Sequence, residues 1–384
     1  MRFSSRAAAV AESATLRLWT ETARLRASGV DVIGFLEGEP DLPVPDSVVR
    51  ATQEALRSGR TRYSASGGLA ELKAAIVRKL SEDNGVAAAP ENILVANGAK
   101  QAIFETFQTL CEPGDEVLIP SPCWVTFPEA VKLAGATPVL VETDAGHQLD
   151  VEALSRAVTA KTRAVVVNTP NNPTGAVYPE KSLRDLAALA ARRGLTIVSD
   201  EAYEGLVYDG APHVSVASLG AEAAARTITI QTFSKSFAMT GFRVGYLAGP
   251  SDFVRTAERV HGHVTGNVCT FVQLGAAAAL ELGPAHRDAW RDAHRKRRDV
   301  AFELASGLFD CVKPAGGLFL FADVRRRLGA RFADSAALAR HLLEKGRVAV
   351  VPGSAFGREG FLRLSFSSSE AVLREGYARM GKVL

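Results

Sequence analysis

Apolar residues recur along this chain in two rhythms, and their alternation predicts the architecture. Short continuous runs, rich in β-branched residues, fall at 93–96, 116–120, 164–168, 195–200, 226–230 and 244–249. Runs of that length bounded by turn residues read as strands buried on both faces. Around and between them lie stretches with helical spacing, among them 69–80, 101–110 and 181–193. Strand, turn and helix repeated in this way predict an α/β fold whose mostly parallel sheet is covered by helices on both sides.

The two ends of the chain follow a different pattern. Residues 11–29 show helical spacing up to a glycine stop at Gly29, and 30–36 read as a short strand. The loop after it carries Pro40, Pro43 and Pro45, which forbid regular structure. Asp46 is expected to cap a helix running through Leu56. After Gly283 and Pro284 come a long charged helix over 285–308, a strand within 312–324 and a helix to 343. Strands over 348–353 and 361–366 follow. The expected organisation is a large unit of residues 46–284 and a smaller α+β unit formed by 1–45 with 285–384.

Composition narrows the function classes. With 384 residues the chain can bury a sizeable core, and its net charge of only +3 gives no electrostatic footprint for nucleic acid. The basic run at 295–298 continues a helical pattern and reads as a solvated helix face. Cys111, Cys123, Cys269 and Cys311 are too widely spaced for a CxxC metal site or an evident disulfide framework, so no metal is expected and a reducing, cytoplasmic setting fits. The apolar stretch 7–11 is too short for a signal-peptide core, and no stretch reaches the roughly 18 apolar residues of a membrane span.

Candidate chemistry centres on Lys235, which stands between two apparent core strands in the stretch 231–246. A lysine held inside a fold loses solvation, its pKa falls, and the neutral amine becomes a nucleophile suited to Schiff-base chemistry. A lysine at a strand end reaching solvent reads equally well from these residues alone. Thr232, Ser234 and Arg243 around it suit a phosphate. Other polar residues cluster just after predicted strands: Gly98, Ala99 and Lys100 opening a helix, the stretch 168–175 with Asn172, and Asp200 to Tyr203. The carboxyl ends of parallel strands are where ligands bind in such folds, and a helix opening there offers free backbone N–H groups to phosphate. Tyr63 lies in a polar, irregular loop where a surface tyrosine and a site tyrosine look alike. Arg363 lies among apolar residues on a predicted strand, either as a surface ion-pair partner or as a fork for a carboxylate.

Several ordered motifs together resemble the class I, fold-type I aminotransferases that use pyridoxal 5′-phosphate (PLP), closest to the prokaryotic aspartate aminotransferase branch. They are GEPD at 38–41, NGAKQA at 97–102, PNNPTG at 170–175, SDEAY at 199–203 and SKSFAMTGFRVGY at 234–246. The resemblance covers nearly the whole chain. It implies that Lys235 forms the Schiff base with PLP and moves the substrate proton, and that Asp200 pairs with the pyridine nitrogen. Asn172 and Tyr203 would bond the phenolic oxygen, and Trp124 would stack on the ring. Gly98, Ala99, Lys100, Thr232, Ser234 and Arg243 would surround the phosphate. Tyr63 would reach the phosphate of a neighbouring subunit, which implies a homodimer with shared sites. Arg363, with Gly38 and Asn172 beside it, would bind the substrate α-carboxylate, and Lys100 would meet a distal one.

The implied reaction moves an amino group between an amino acid, aspartate or another acidic donor, and a 2-oxo acid such as 2-oxoglutarate. Departures at Leu42, Pro43, Val44, Cys123 and Phe319 leave an aromatic or other neutral donor open. PLP-dependent lyases and cyclases share the scaffold and remain an alternative. A regulatory module would bring a DNA-binding extension for which this chain has no residues to spare.

Overall fold

The computed structural model describes residues 2–384. Its strands are β1 (Ile33–Gly34), β2 (Ile93–Ala96), β3 (Glu116–Ser121), β4 (Thr137–Glu142), β5 (Thr162–Asn168), β6 (Thr196–Asp200) and β7 (Thr227–Thr232). They continue as β8 (Gly245–Ala248), β9 (Asp310–Cys311), β10 (Phe319–Asp323), β11 (Val348–Ala349), β12 (Val351–Pro352) and β13 (Phe361–Ser365). Seven of them form one sheet in the order β2-β8-β7-β6-β5-β3-β4. Only β8 runs against its neighbours β2 and β7; the other pairs are parallel.

The sheet is covered on both faces, as the continuous apolar runs require. Side chains alternate along each strand: Val165, Val167 and Ile197 pack with Leu183 and Leu186 of the helix Glu180–Arg193. Val166 and Val198 face the other way, toward Ile103 and Phe107 of the helix Ala99–Leu110. Glycines in the left-handed conformation, Gly85 and Gly194, end the helices Ala70–Asn84 and Glu180–Arg193.

Two smaller sheets lie elsewhere in the chain: antiparallel β12-β13-β10-β9, and the parallel pair β1-β11. We propose the division into residues 46–284 and residues 1–45 with 285–384, supported by each sheet falling wholly inside one of these units.

Three local expectations change. The strand expected over 30–36 shrinks to β1, where Ile33 and Gly34 stand in register with Val348 and Ala349. The strand expected over 348–353 splits at Val350, since β11 pairs with β1 while β12 pairs with β13 in another sheet. Asp46 is the first residue of its helix and Pro45 is the cap; Asp46 makes no capping bond, although its charge still favours the positive helix end.

Candidate active site

Register places the first two chemical residues side by side. Asn168 and Asp200 are direct partners at the ends of β5 and β6, Ile230 stands opposite Asp200, and β7 runs two residues further to end at Thr232. Asn168 accepts a hydrogen bond from the Asn172 backbone N–H at 2.9 Å, which fixes the start of the following turn. Asp200 is 2% exposed, and its Oδ1 accepts from the Ala202 N–H at 3.0 Å. No other side chain or backbone donor among the described residues reaches it. Burial, opposed by that hydrogen bond, pushes its pKa up to about 7.

Lys235 lies in a single helical turn, Phe233–Ser236, that follows β7 directly; the Thr232 hydroxyl caps it by accepting from Ser234 N–H at 3.2 Å. The Lys235 ammonium donates to the Gly38 carbonyl at 2.9 Å and stands 6.0 Å from the Tyr203 ring centre. Desolvation lowers its pKa to about 8, with Arg243 and Arg363 adding to the effect while Glu39 and Asp200 oppose it. The solvent-reaching reading of this lysine is thereby set aside. Gly38 has to be glycine: a Cβ there would come within 2.5 Å of the Phe319 ring and 3.1 Å of the Tyr203 hydroxyl.

An anion-type corner forms where β2 leads into the helix Ala99–Leu110. Its cap, Gly98, has φ +78° and no side chain to occupy the first N–H groups. A Cβ on Gly98 would lie 2.8 Å from an Arg243 guanidinium nitrogen, so only glycine lets that arginine close over the helix start. Arg243 is held by the Thr240 carbonyl at 3.0 Å and the Asn97 carbonyl at 3.4 Å. The hydroxyls of Thr232 and Ser234, 2.9 Å apart, complete the corner. Lys100 stands exposed at the rim, 5.3 Å from the Trp124 ring centre. Enough protein surrounds its ammonium to lower its pKa by desolvation, with a further push from Arg243.

Arg363 on β13 defines a second corner. It is 3% exposed and lies 4.1 and 4.7 Å from the Phe319 and Phe356 ring centres. One guanidinium nitrogen donates to Asn172 Oδ1 at 2.9 Å and another to the Leu36 carbonyl. Its Nε is buried without a partner. Desolvation lowers its pKa to about 10, so it remains a cation at neutral pH.

These groups line one cavity of about 330 Å³. Of the residues singled out in the sequence, Gly38, Ala99, Lys100, Trp124, Asn172, Asp200, Tyr203, Thr232, Ser234, Lys235, Arg243 and Arg363 all line it. Gly98 does not, being covered by Arg243. Tyr63 is also absent from the lining; it is 98% exposed and projects from the surface. The lining adds Thr15, Leu16 and Trp19, together with Glu37, Glu39 and Thr240, to which sequence reasoning gave no role. The helix Ala14–Ala27 buries only Thr22, so its weak apolar pattern did not advertise that one end borders a cavity.

The family model "Aminotransferase class I and II" matches residues 30–380. The chain is 44% identical to a probable aspartate/prephenate aminotransferase of Aquifex aeolicus, over 99% of this chain and 98% of that protein. It is 39% identical to an aspartate aminotransferase of Geobacillus stearothermophilus, over 100% and 99% of the two chains. Among solved structures, the aspartate aminotransferase from Thermus thermophilus with maleate superposes with a TM-score of 0.95 at 39% identity, each chain covered completely.

Proposed function

We propose, because the chain belongs to the class I and II aminotransferases, that its amino donor is aspartate or another acidic amino acid and its acceptor a 2-oxo acid such as 2-oxoglutarate. The protein is a transaminase that uses PLP and acts on an amino acid and a 2-oxo acid. The observation that carries the acidic donor is a pair of cations lining one cavity. Arg363 keeps an unsatisfied buried Nε, and the Lys100 charge has no carboxylate partner among the described residues. A dicarboxylate satisfies both; a neutral donor satisfies only one. The names of the relatives support the same choice. Leu16, Trp19, Leu36 and Phe319 in the lining favour a second reading, an aromatic or other neutral donor.

The residues fit PLP. Asp200 is a buried carboxylate short of donors, suited to a protonated ring nitrogen, which would bring its pKa back down. The capless helix start at Gly98 and Ala99, with Lys100, Thr232, Ser234 and Arg243, suits a phosphate. Bound there, PLP supplies an electron sink for charge at the substrate Cα. Lys235 would hold it covalently and, once released, its amine would take up and return the proton at the substrate Cα. Asn172 and Tyr203 would hold the PLP phenolic oxygen and Trp124 would cover its ring. Arg363, beside Gly38 and Asn172, grips the α-carboxylate, and Lys100 meets the distal one. Tyr63, with its exposed hydroxyl, reaches the phosphate of a second subunit, so the working unit is a homodimer. Four free cysteines support a cytoplasmic setting, and among the described residues no helix is long and apolar enough to cross a membrane.

The test is Lys100→Ala, with steady-state kinetics on aspartate, glutamate, phenylalanine and methionine. Loss of a desolvated ion pair of about 2–5 kcal/mol lowers kcat/KM for the acidic donors about 30- to 4,000-fold and leaves the neutral donors much less affected. Equal losses for all four donors would leave Lys100 with the cofactor phosphate or the fold alone and remove the acidic-donor reading.

A further inference from the structure

The long helix Pro284–Ser306 presents Trp290, His294 and Arg297 at spacings of four and three residues, on one face, toward the back of the cavity wall. Trp290 is 6% exposed, and its indole N–H donates to the backbone carbonyl of Lys235 at 3.1 Å. That carbonyl lies near the end of the single turn Phe233–Ser236, where helical carbonyls have no partner further along the chain. Beyond it the chain turns away sharply, Ala238 taking φ +51°.

Phe233, buried in the core, and its N–H bond to the Val244 carbonyl anchor the start of the turn. A second cavity, about 460 Å³, lies behind it and is lined by Gly205, Gln231, Ser236, Phe237 and Trp290 itself. The indole is held in place by imidazoles on either side: His286 stacks at 5.9 Å between centres, and His294 tilts against it at 5.1 Å. His286 in turn stacks on Phe237, at 6.2 Å and 4°. Two turns further along the helix, Arg297 binds Asp41 and the Ser367 carbonyl. Asp41 lies three residues past Gly38, whose carbonyl accepts the Lys235 ammonium. One helix therefore contacts both chain segments that meet at the Lys235–Gly38 hydrogen bond.

We propose that Trp290 is a positioning residue for Lys235: its indole N–H fixes the carbonyl of the lysine's own turn and so the direction in which the side chain enters the cavity. The inference rests on Lys235 being the lysine that binds PLP. The charged groups facing Lys235 are Glu39, Asp200, Arg243 and Arg363, and none of them hydrogen-bonds the Trp290 side chain.

The experiment uses the PLP-loaded enzyme and two variants. Trp290→Phe keeps a ring without the N–H, and site-specific replacement by benzothienylalanine keeps the indole shape with sulfur in place of the N–H. Borohydride reduction and peptide mapping of the wild type come first; a label on another lysine overturns the underlying reading and this inference with it. With the label on Lys235, the expected result is threefold. The pH midpoint of the bound cofactor's absorbance change moves by about 0.4 to 1 unit, kcat falls about 2- to 12-fold, and KM stays within about twofold. Should Trp290→Phe not fold, the isosteric variant decides. A variant that melts earlier but keeps the wild-type midpoint and kcat overturns the proposal and leaves Trp290 as core packing.

Discussion

Arg363→Lys tests how the cavity recognises its substrate. Arginine and lysine carry the same charge, so the substitution isolates the fork. In place, the guanidinium donates to Asn172 Oδ1 and the Leu36 carbonyl and lies against two phenyl rings, leaving its Nε edge unsatisfied. A lysine ammonium has three donors on one atom and cannot serve two protein acceptors, stack on both rings and present a planar edge to a carboxylate. Losing one charge-assisted hydrogen bond costs about 1.5–3 kcal/mol, and disrupting a desolvated charge pair up to about 5. That corresponds to a fall in kcat/KM of about 10- to several-thousand-fold for an amino acid donor.

Protonation adds to the loss. Burial already brings Arg363 down to about 10, where it is still fully charged at neutral pH. Lysine starts about 2 units lower, so the same burial leaves it closer to neutrality and makes the variant worse as pH rises. The assay is the half-reaction followed by cofactor absorbance, run with aspartate and with a primary amine that lacks an α-carboxylate. The amine should react at the wild-type rate. Equal loss for amine and amino acid, or an aspartate value within threefold of wild type, would refute the assignment of Arg363 to the α-carboxylate.

Two further outcomes are expected. In cofactor-free enzyme the rate of PLP capture should rise about tenfold between pH 7 and 9 and then level off, because only the neutral amine attacks and Lys235 loses its proton near 8. A rate still climbing steeply above pH 9 would mean an ordinary, solvated lysine. Tyr63→Phe should weaken PLP retention about 10- to 150-fold through loss of a hydrogen bond to a charged phosphate, and sedimentation of a fully active monomer at assay concentration would contradict the shared site.

The sheet and the strand-end chemistry were legible because both follow from local sequence. Strands buried on both faces are continuously apolar, so β2, β5, β6 and β7 stood out within a residue or two of their observed limits. The polar residues that end them, Asn168, Asp200 and Thr232, converge because parallel strands place their carboxyl ends on one edge. What the sequence could not decide depends on partners far away in the chain. Whether 348–353 is one strand or two depends on β1 and β13, which draw β11 and β12 into different sheets. Thr15, Leu16 and Trp19 border the cavity only because the N-terminal helix packs beside it, and no periodicity encodes that. The depressed pKa of Lys235 is likewise a tertiary property. Desolvation is the sum of everything packed around the amine, and the Gly38 carbonyl it bonds and the Arg363 charge that adds to the shift lie 197 and 128 residues from it along the chain.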